Sequence, residues 1–188
     1  MKLSILSGLA AIDPAAWDVL VGEESPFLEW AWLASLEESG CASQRTGWLP
    51  QHLALFDGER LIGACPLYVK GHSQGEFVFD HGWAQAAARA GIRYYPKLLV
   101  ATPFTPATGV RFLAAPGIDR ATVVHHLGTA LRELSEGGDF SSVHVNFCRS
   151  DEAAALERVG YVRRAGYQFQ WINPGWQSFD DYLAALRS

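Results

Sequence analysis

The chain has 188 residues, 49% of them hydrophobic and 19% charged, with 18 glycines and 9 prolines; this composition excludes disordered and fibrous classes and supports one folded core. A formal charge of −5 excludes a broad basic footprint for DNA or for an anionic membrane surface, while leaving room for a local basic pocket. Cys41, Cys65 and Cys148 leave one cysteine unpaired in any disulfide scheme and show no CxxC spacing, so neither a metal ribbon nor a stapled secreted scaffold is indicated, and a cytoplasmic, reducing compartment fits. No apolar run approaches the roughly 20 residues needed to span a bilayer.

Residues 3–6 read as a first strand, because Asp13-Pro14 behind them is a helix N-cap followed by N1 and not the end of a signal peptide. Helices are expected over 14–20 and 27–39, where Phe27, Trp30, Leu33 and Leu36 recur at helical spacing and Gly40 ends the run. A loop over 41–50 leads to a hairpin, 52–56 and 60–69, turned by Asp57-Gly58, with Pro66 marking an edge or bulge. A polar loop over 71–76 precedes the apolar run 77–79, where Phe77 and Phe79 are expected in the core, and a helix over 83–90. Strands follow at 96–102 and 111–114. Asp119 caps a helix over 120–136 that Gly137-Gly138 stops. A strand over 142–147, a helix over 151–159, and one or two strands between 161 and 172 follow. The chain closes on Phe179, Tyr182, Leu183 and Leu186 at helical spacing, with no capping residue evident.

This order predicts an α/β fold with one mixed, mostly antiparallel central sheet flanked by helices. It resembles the GNAT-type acyltransferase fold, with 120–136 matching the helix after the central strand and 142–147 the strand that splays from it. In acyl-CoA enzymes of that fold, the loop before this helix carries an R/Q-x-x-G-x-G/A pattern whose backbone N–H groups hold pyrophosphate. Here the loop is Ala114-Ala115-Pro116-Gly117-Ile118-Asp119-Arg120: the glycines are absent, Pro116 removes a donor and Asp119 repels phosphate.

More closely, the chain resembles a bacterial family of predicted N-acyltransferases described as Fem-like and tied to peptidoglycan biosynthesis or recognition. The carriers include Gly47-Trp48-Leu49-Pro50-Gln51-His52, the run from Pro66 through Glu76 to Asp80, Tyr94-Tyr95-Pro96-Lys97-Leu98, Pro103-Phe104-Thr105-Pro106, and Gln168-Phe169-Gln170-Trp171 ahead of Phe179-Asp180-Asp181. The resemblance implies transfer of an acyl or aminoacyl group to an amine acceptor, a peptidoglycan or cell-envelope precursor. The donor it implies is acyl-CoA or aminoacyl-tRNA. It further implies a longer protein, in which 1–175 form the N-terminal GNAT-like domain and 176–188 begin a linker helix to a second GNAT-like half. Two other readings stay open: a non-catalytic substrate-recognition domain, and an acyl-CoA-dependent N-acetyltransferase.

Between Lys70 and Lys97 polar and aromatic groups are dense. Acyl transfer to an amine needs a base and donors for the developing oxyanion. His72, Glu76 and Asp80 are the candidate catalytic residues; Lys70, Ser73, Trp83, Tyr94, Tyr95, Lys97, Thr105, His144 and Asn146 are the candidate substrate-binding residues. The bland alternative is a solvated loop in which Glu76 and Asp80 pair with the lysines on the surface, and a half-buried structural role for His144. No His, Cys, Asp and Glu set has metal-site spacing. An active site of this kind is expected to be a polar cleft lined by Lys70, His72, Tyr95 and Lys97.

Overall fold

The computed structural model describes residues 1–167, 169 and 171–186; Gln168 and Gln170, two carriers of the family resemblance, lie outside them. From β1 (Lys2–Leu6) the chain turns into α1 (Pro14–Val21), where the Asp13 carboxylate accepts the Ala16 N–H and Pro14 takes the first helical position. The helix expected over 27–39 starts later. Ser25 and Pro26 initiate a single 3₁₀ turn, Pro26–Leu28, and Glu29 is too extended (ψ 144°) to continue it, so α2 spans Trp30–Glu38.

Next come β2 (Trp48–Pro50), β3 (His52–Asp57), β4 (Arg60–Cys65) and β5 (Leu67–Lys70), in effect two long strands each broken once, at Gln51 and at Pro66. In the hairpin Asp57 pairs with Arg60, so Gly58 (φ 60°) and Glu59 make the turn and Asp57 belongs to the strand. The order continues with α3 (His81–Arg89), β6 (Lys97–Val100), β7 (Leu113–Ala114), α4 (Arg120–Gly137), β8 (Val143–Val145), α5 (Ser150–Arg158) and α6 (Phe179–Ala185). The strands expected between 161 and 172 do not form among the described residues, whose side chains there are exposed except for half-buried Tyr161, which donates to Gly128 O at 2.9 Å. The closing helix does carry an N-cap: Ser178 Oγ accepts from Asp181 N–H, and the Asp181 carboxylate accepts from Ser178 N–H.

The strands pair in the orders β1-β3-β4-β7 and β2-β5-β6-β8, antiparallel except for the parallel pair β6–β8. At the break between the sheets Pro66 has no N–H to offer the ladder. Gln51 N–H still donates to Leu67 O (2.8 Å), but the Leu67 N–H is received by Nδ1 of the buried His52 (3.2 Å). With Nδ1 accepting, Nε2 carries the proton and donates to Glu37 Oε1 (2.7 Å), whose other oxygen accepts from Leu9 N–H (2.8 Å). One imidazole thus fastens the kink to α2 and to the segment after β1.

Alternation along β3 splits the core into layers. Ala54 faces Trp17, Leu20, Leu28 and Leu33 of the α1–α2 side, whereas Leu53 and Leu55 face Val123, Leu127 and Leu131 of α4. The close approach of α4 to β4 depends on Gly63, where an added Cβ would come within 2.7 Å of Val123. Residues 101–112 leave the sheet between β6, which pairs with β5, and β7, which pairs with β4. Among the described residues no helix is long and apolar enough to cross a membrane.

Candidate functional site

The register of β5 and β6 places Lys70 directly opposite Lys97. Like charges in that position repel, and both side chains are fully buried, so each needs compensation from groups brought by other segments. For Lys97 that segment is 71–95, which crosses over the strand ends. Its Nζ donates to Asp80 Oδ2 (2.7 Å), Glu76 Oε2 (2.9 Å) and Ser73 Oγ (3.0 Å), which uses all three ammonium hydrogens. Tyr94 OH donates to the same Asp80 oxygen (2.8 Å), and the hydroxyls of Ser73 and Tyr95 share a bond of 2.7 Å. Lys70 Nζ lies 3.7 Å from the centroid of the Trp48 ring and donates to Gln74 O (3.2 Å), an oxygen that also accepts from Trp48 Nε1.

The two carboxyls differ in character. Burial opposes ionisation of Asp80, but the hydrogen bonds from Lys97 and Tyr94 and the Lys97 charge outweigh it and hold the group at about 2. In Glu76 burial prevails over the attraction of Lys97, and the pKa is raised. Burial, helped by the Lys97 charge, lowers Lys70 to about 7. One oxygen of each carboxylate, Glu76 Oε1 and Asp80 Oδ1, is buried with no hydrogen-bond partner.

Of the candidate residues, the fold therefore brings together Lys70, Ser73, Glu76, Asp80, Tyr94, Tyr95 and Lys97. His144 on β8 stands beside them, edge-on to Tyr94 with ring centroids 6.2 Å apart. Glu76 and Asp80 do pair with a lysine, but inside the protein and not on a solvated loop. Four candidates fall elsewhere. His72 accepts from Gln74 N–H at Nδ1 and bonds to the Thr46 backbone; Trp83 is exposed on α3, with Arg164 over its ring at 5.2 Å; Thr105 Oγ1 donates to Pro103 O; Asn146 is buried at the end of β8. Phe77 and Phe79 leave the core for the surface, in left-handed backbone (φ 58° and 50°).

The expected cleft also differs. A cavity of about 570 Å³ lies next to the cluster, lined by Arg45, Trp48, His72, Gln74 and Phe104 among others. Trp48, whose ring Lys70 Nζ contacts, lines this cavity, and Lys70, Tyr95 and Lys97 do not.

Two buried charged residues that the sequence did not single out, Arg111 and Glu152, lie where residues 107–112 meet β8 and α5. Arg111 is buried, its Nε donating to Asn146 O (2.8 Å) and its terminal nitrogens to Val110 O (2.8 Å) and Ala107 O (2.6 Å). The buried Glu152 carboxylate at the start of α5 accepts from the N–H groups of Arg111, Phe112 and Arg149. The signal was an arginine between apolar neighbours in Gly109-Val110-Arg111-Phe112-Leu113. Past β8, Gly109 bridges to Cys148, so residues 107–112 fill the space beside the strand expected to splay. At α4, Asp119 caps its own helix, accepting from Ala121 N–H (3.3 Å) and Thr122 N–H (3.1 Å).

His144 gives the site an acid limit. Burial, then the Lys97 charge, lowers its pKa to about 4 against opposition from Asp80, with Arg164 adding to the lowering. A depressed histidine binds its proton in the unfolded chain first, so the stability it contributes is present above the unfolded value of 6.5 and is lost as pH falls through 4. Urea denaturation from pH 7 to 4 should show wild type losing on the order of 1–2 kcal/mol relative to His144→Gln; parallel pH profiles would contradict this.

A family model described as FemAB-like, peptidoglycan biosynthesis/recognition, matches residues 8–188. No curated protein sequence matches the chain. Among solved structures the chain is similar to a ribosomal-protein-alanine N-acetyltransferase from Brucella melitensis biovar Abortus 2308, with TM-score 0.53, 11% identity, and coverage of 91% of this chain and 100% of that one. It is also similar to the aminoglycoside 6′-N-acetyltransferase AAC(6′)-Ig from Acinetobacter haemolyticus, with TM-score 0.51, 11% identity, and coverage of 92% and 100%. At these identities the likeness bears on the fold.

Proposed function

The chain belongs to the FemAB-like family, and on that premise we propose that it is the acceptor-side domain of an N-acyltransferase, acting in the cytoplasm on an amine of a peptidoglycan or cell-envelope precursor. In this reading residues 1–175 form the domain, and 176–188 lead to a second GNAT-like half. The observation that carries the reading is the buried cluster around Lys97, with its unpartnered carboxylate oxygens.

In the transfer, the acceptor nitrogen bonds to the acyl carbonyl carbon. The bond from that carbon to the donor's oxygen or sulfur breaks with its electron pair leaving on the donor, and one amine proton passes to a base. Glu76 suits that role better than Asp80: its pKa is raised by burial, and Oε1 is open to a proton, whereas Asp80 is held at about 2. The Ser73–Tyr95 hydroxyl pair supplies an O–H donor for a developing oxyanion, next to the positive charge of Lys97.

Acyl-CoA does not fit the usual place in this half. The first N–H groups of α4 are taken by Asp119, Pro116 offers none, and residues 107–112 lie beside β8. The same observation favours a second reading, a recognition domain with no chemistry of its own. Amine-transfer assays on the longer protein distinguish the two. Glu76→Gln is expected to lower kcat about 100-fold. Unchanged kcat would overturn Glu76 as the base and favour recognition alone.

A further inference from the structure

Residues 77–93 form an excursion held to the protein by very little. Across that stretch Asp80 is the one buried residue; α3, which follows it directly, buries none. Phe77, Phe79, Trp83 and Ile92 are exposed. The other ties are at the surface: Arg93 pairs with Asp139, and Trp83 packs on Arg164. Backbone in the left-handed region marks both ends, at Phe77 and Phe79 on one side and at Gly91 (φ 68°) on the other; for phenylalanine that conformation is strained.

What Asp80 docks into is built without it. Lys97 comes from β6 and is oriented also by Glu76 and Ser73, while Tyr94 lies beyond the excursion, with Ser141 Oγ donating to its carbonyl. These groups present an ammonium and a phenolic hydroxyl to a single carboxylate oxygen, at 2.7 and 2.8 Å. The other oxygen of that carboxylate is buried with no partner, so the site completes only half of its occupant's hydrogen bonds.

We infer that Lys97 Nζ and Tyr94 OH form an anion-binding site for a carboxylate or phosphate group of a ligand, which the Asp80 carboxylate fills in the ligand's absence, with α3 as the lid it holds down. An arriving anion displaces Asp80, frees residues 77–93 and leaves Glu76 on Lys97. The strong preference of the site for an anion agrees with the depressed Asp80 titration. The inference draws on the proposed function only for the ligand's identity as an acceptor precursor.

Hydrogen exchange of the whole chain, followed by mass spectrometry, tests the lid. Asp80→Asn is expected to speed exchange in α3 about tenfold or more, because a charge-assisted anchor is lost, with β5 and β6 unchanged. Thermal shifts then test the site: inorganic phosphate or acetate, against chloride at equal ionic strength, should stabilise Asp80→Asn and not Asp80→Asn combined with Lys97→Met. A response to phosphate alone identifies a phosphate source and to acetate alone a carboxylate source; either supports the site. If Asp80→Asn does not fold, exchange of wild-type α3 with and without phosphate or acetate replaces both arms, because an anion that displaces Asp80 should speed exchange there. Exchange that rises equally in β5 and β6, or the absence of any response to either anion, would overturn the inference. Anion binding without amine transfer in the longer protein would leave this site standing and remove the proposed function.

Discussion

Replacing Lys97 with Met is expected to destabilise the chain by about 3–5 kcal/mol, the range for removing one partner of a buried ion pair. Asp80 and Glu76 are both fully buried at the side chain and both bond to Lys97 Nζ, so the substitution leaves two carboxyls without their cation. Protonating or neutralising them should restore most of the loss. The combination of Lys97→Met with Asp80→Asn and Glu76→Gln is therefore expected to be more stable than Lys97→Met alone. Urea denaturation of the variants at pH 7 measures both effects; a loss under about 1 kcal/mol for the single change would mean that the cluster is solvated.

Glu152→Ala should be comparably damaging, by about 3–5 kcal/mol. It removes the acceptor for the N–H groups of Arg111, Phe112 and Arg149 and takes away a nearby negative charge that favours the buried Arg111 guanidinium. Adding Arg111→Met removes the stranded cation, so the double variant should recover part of the loss, a non-additivity that a double-mutant cycle reads directly. Additive losses would show that Arg111 and Glu152 act independently.

Much of this architecture was legible in the sequence, where local signals and tertiary packing agree. Asp13-Pro14 and Asp119 cap the helices they were expected to cap, and the Pro66 irregularity is the break between β4 and β5. The family resemblance stands on the match to residues 8–188, and the fold resemblance on the similarity to two N-acetyltransferase structures. What the sequence hid was decided by burial. Periodicity cannot say whether Phe77 and Phe79 point inward, and their left-handed backbone, fixed by the docking of Asp80 between them and α3, turns them outward. The density of charges from Lys70 to Lys97 marked the cluster, yet only the register of β5 and β6 says that the lysines face each other. Residues near in sequence diverge in space: His72 and Ser73 are neighbours, but one serves the loop backbone and the other Lys97. Arg111 and Glu152 are 41 residues apart, and no local pattern in the chain connects them.

Calorimetric titration of the folded chain with a peptidoglycan precursor bearing a free amine tests whether the Lys97 cluster receives the amine acceptor. Wild type is expected to bind saturably, and Glu76→Gln and Tyr95→Phe at least about tenfold more weakly, since Glu76 carries the open carboxylate oxygen and Tyr95 orients Ser73. Equal affinities in all three proteins, or saturable binding of acyl-CoA in place of the precursor, would contradict acceptor binding at the cluster.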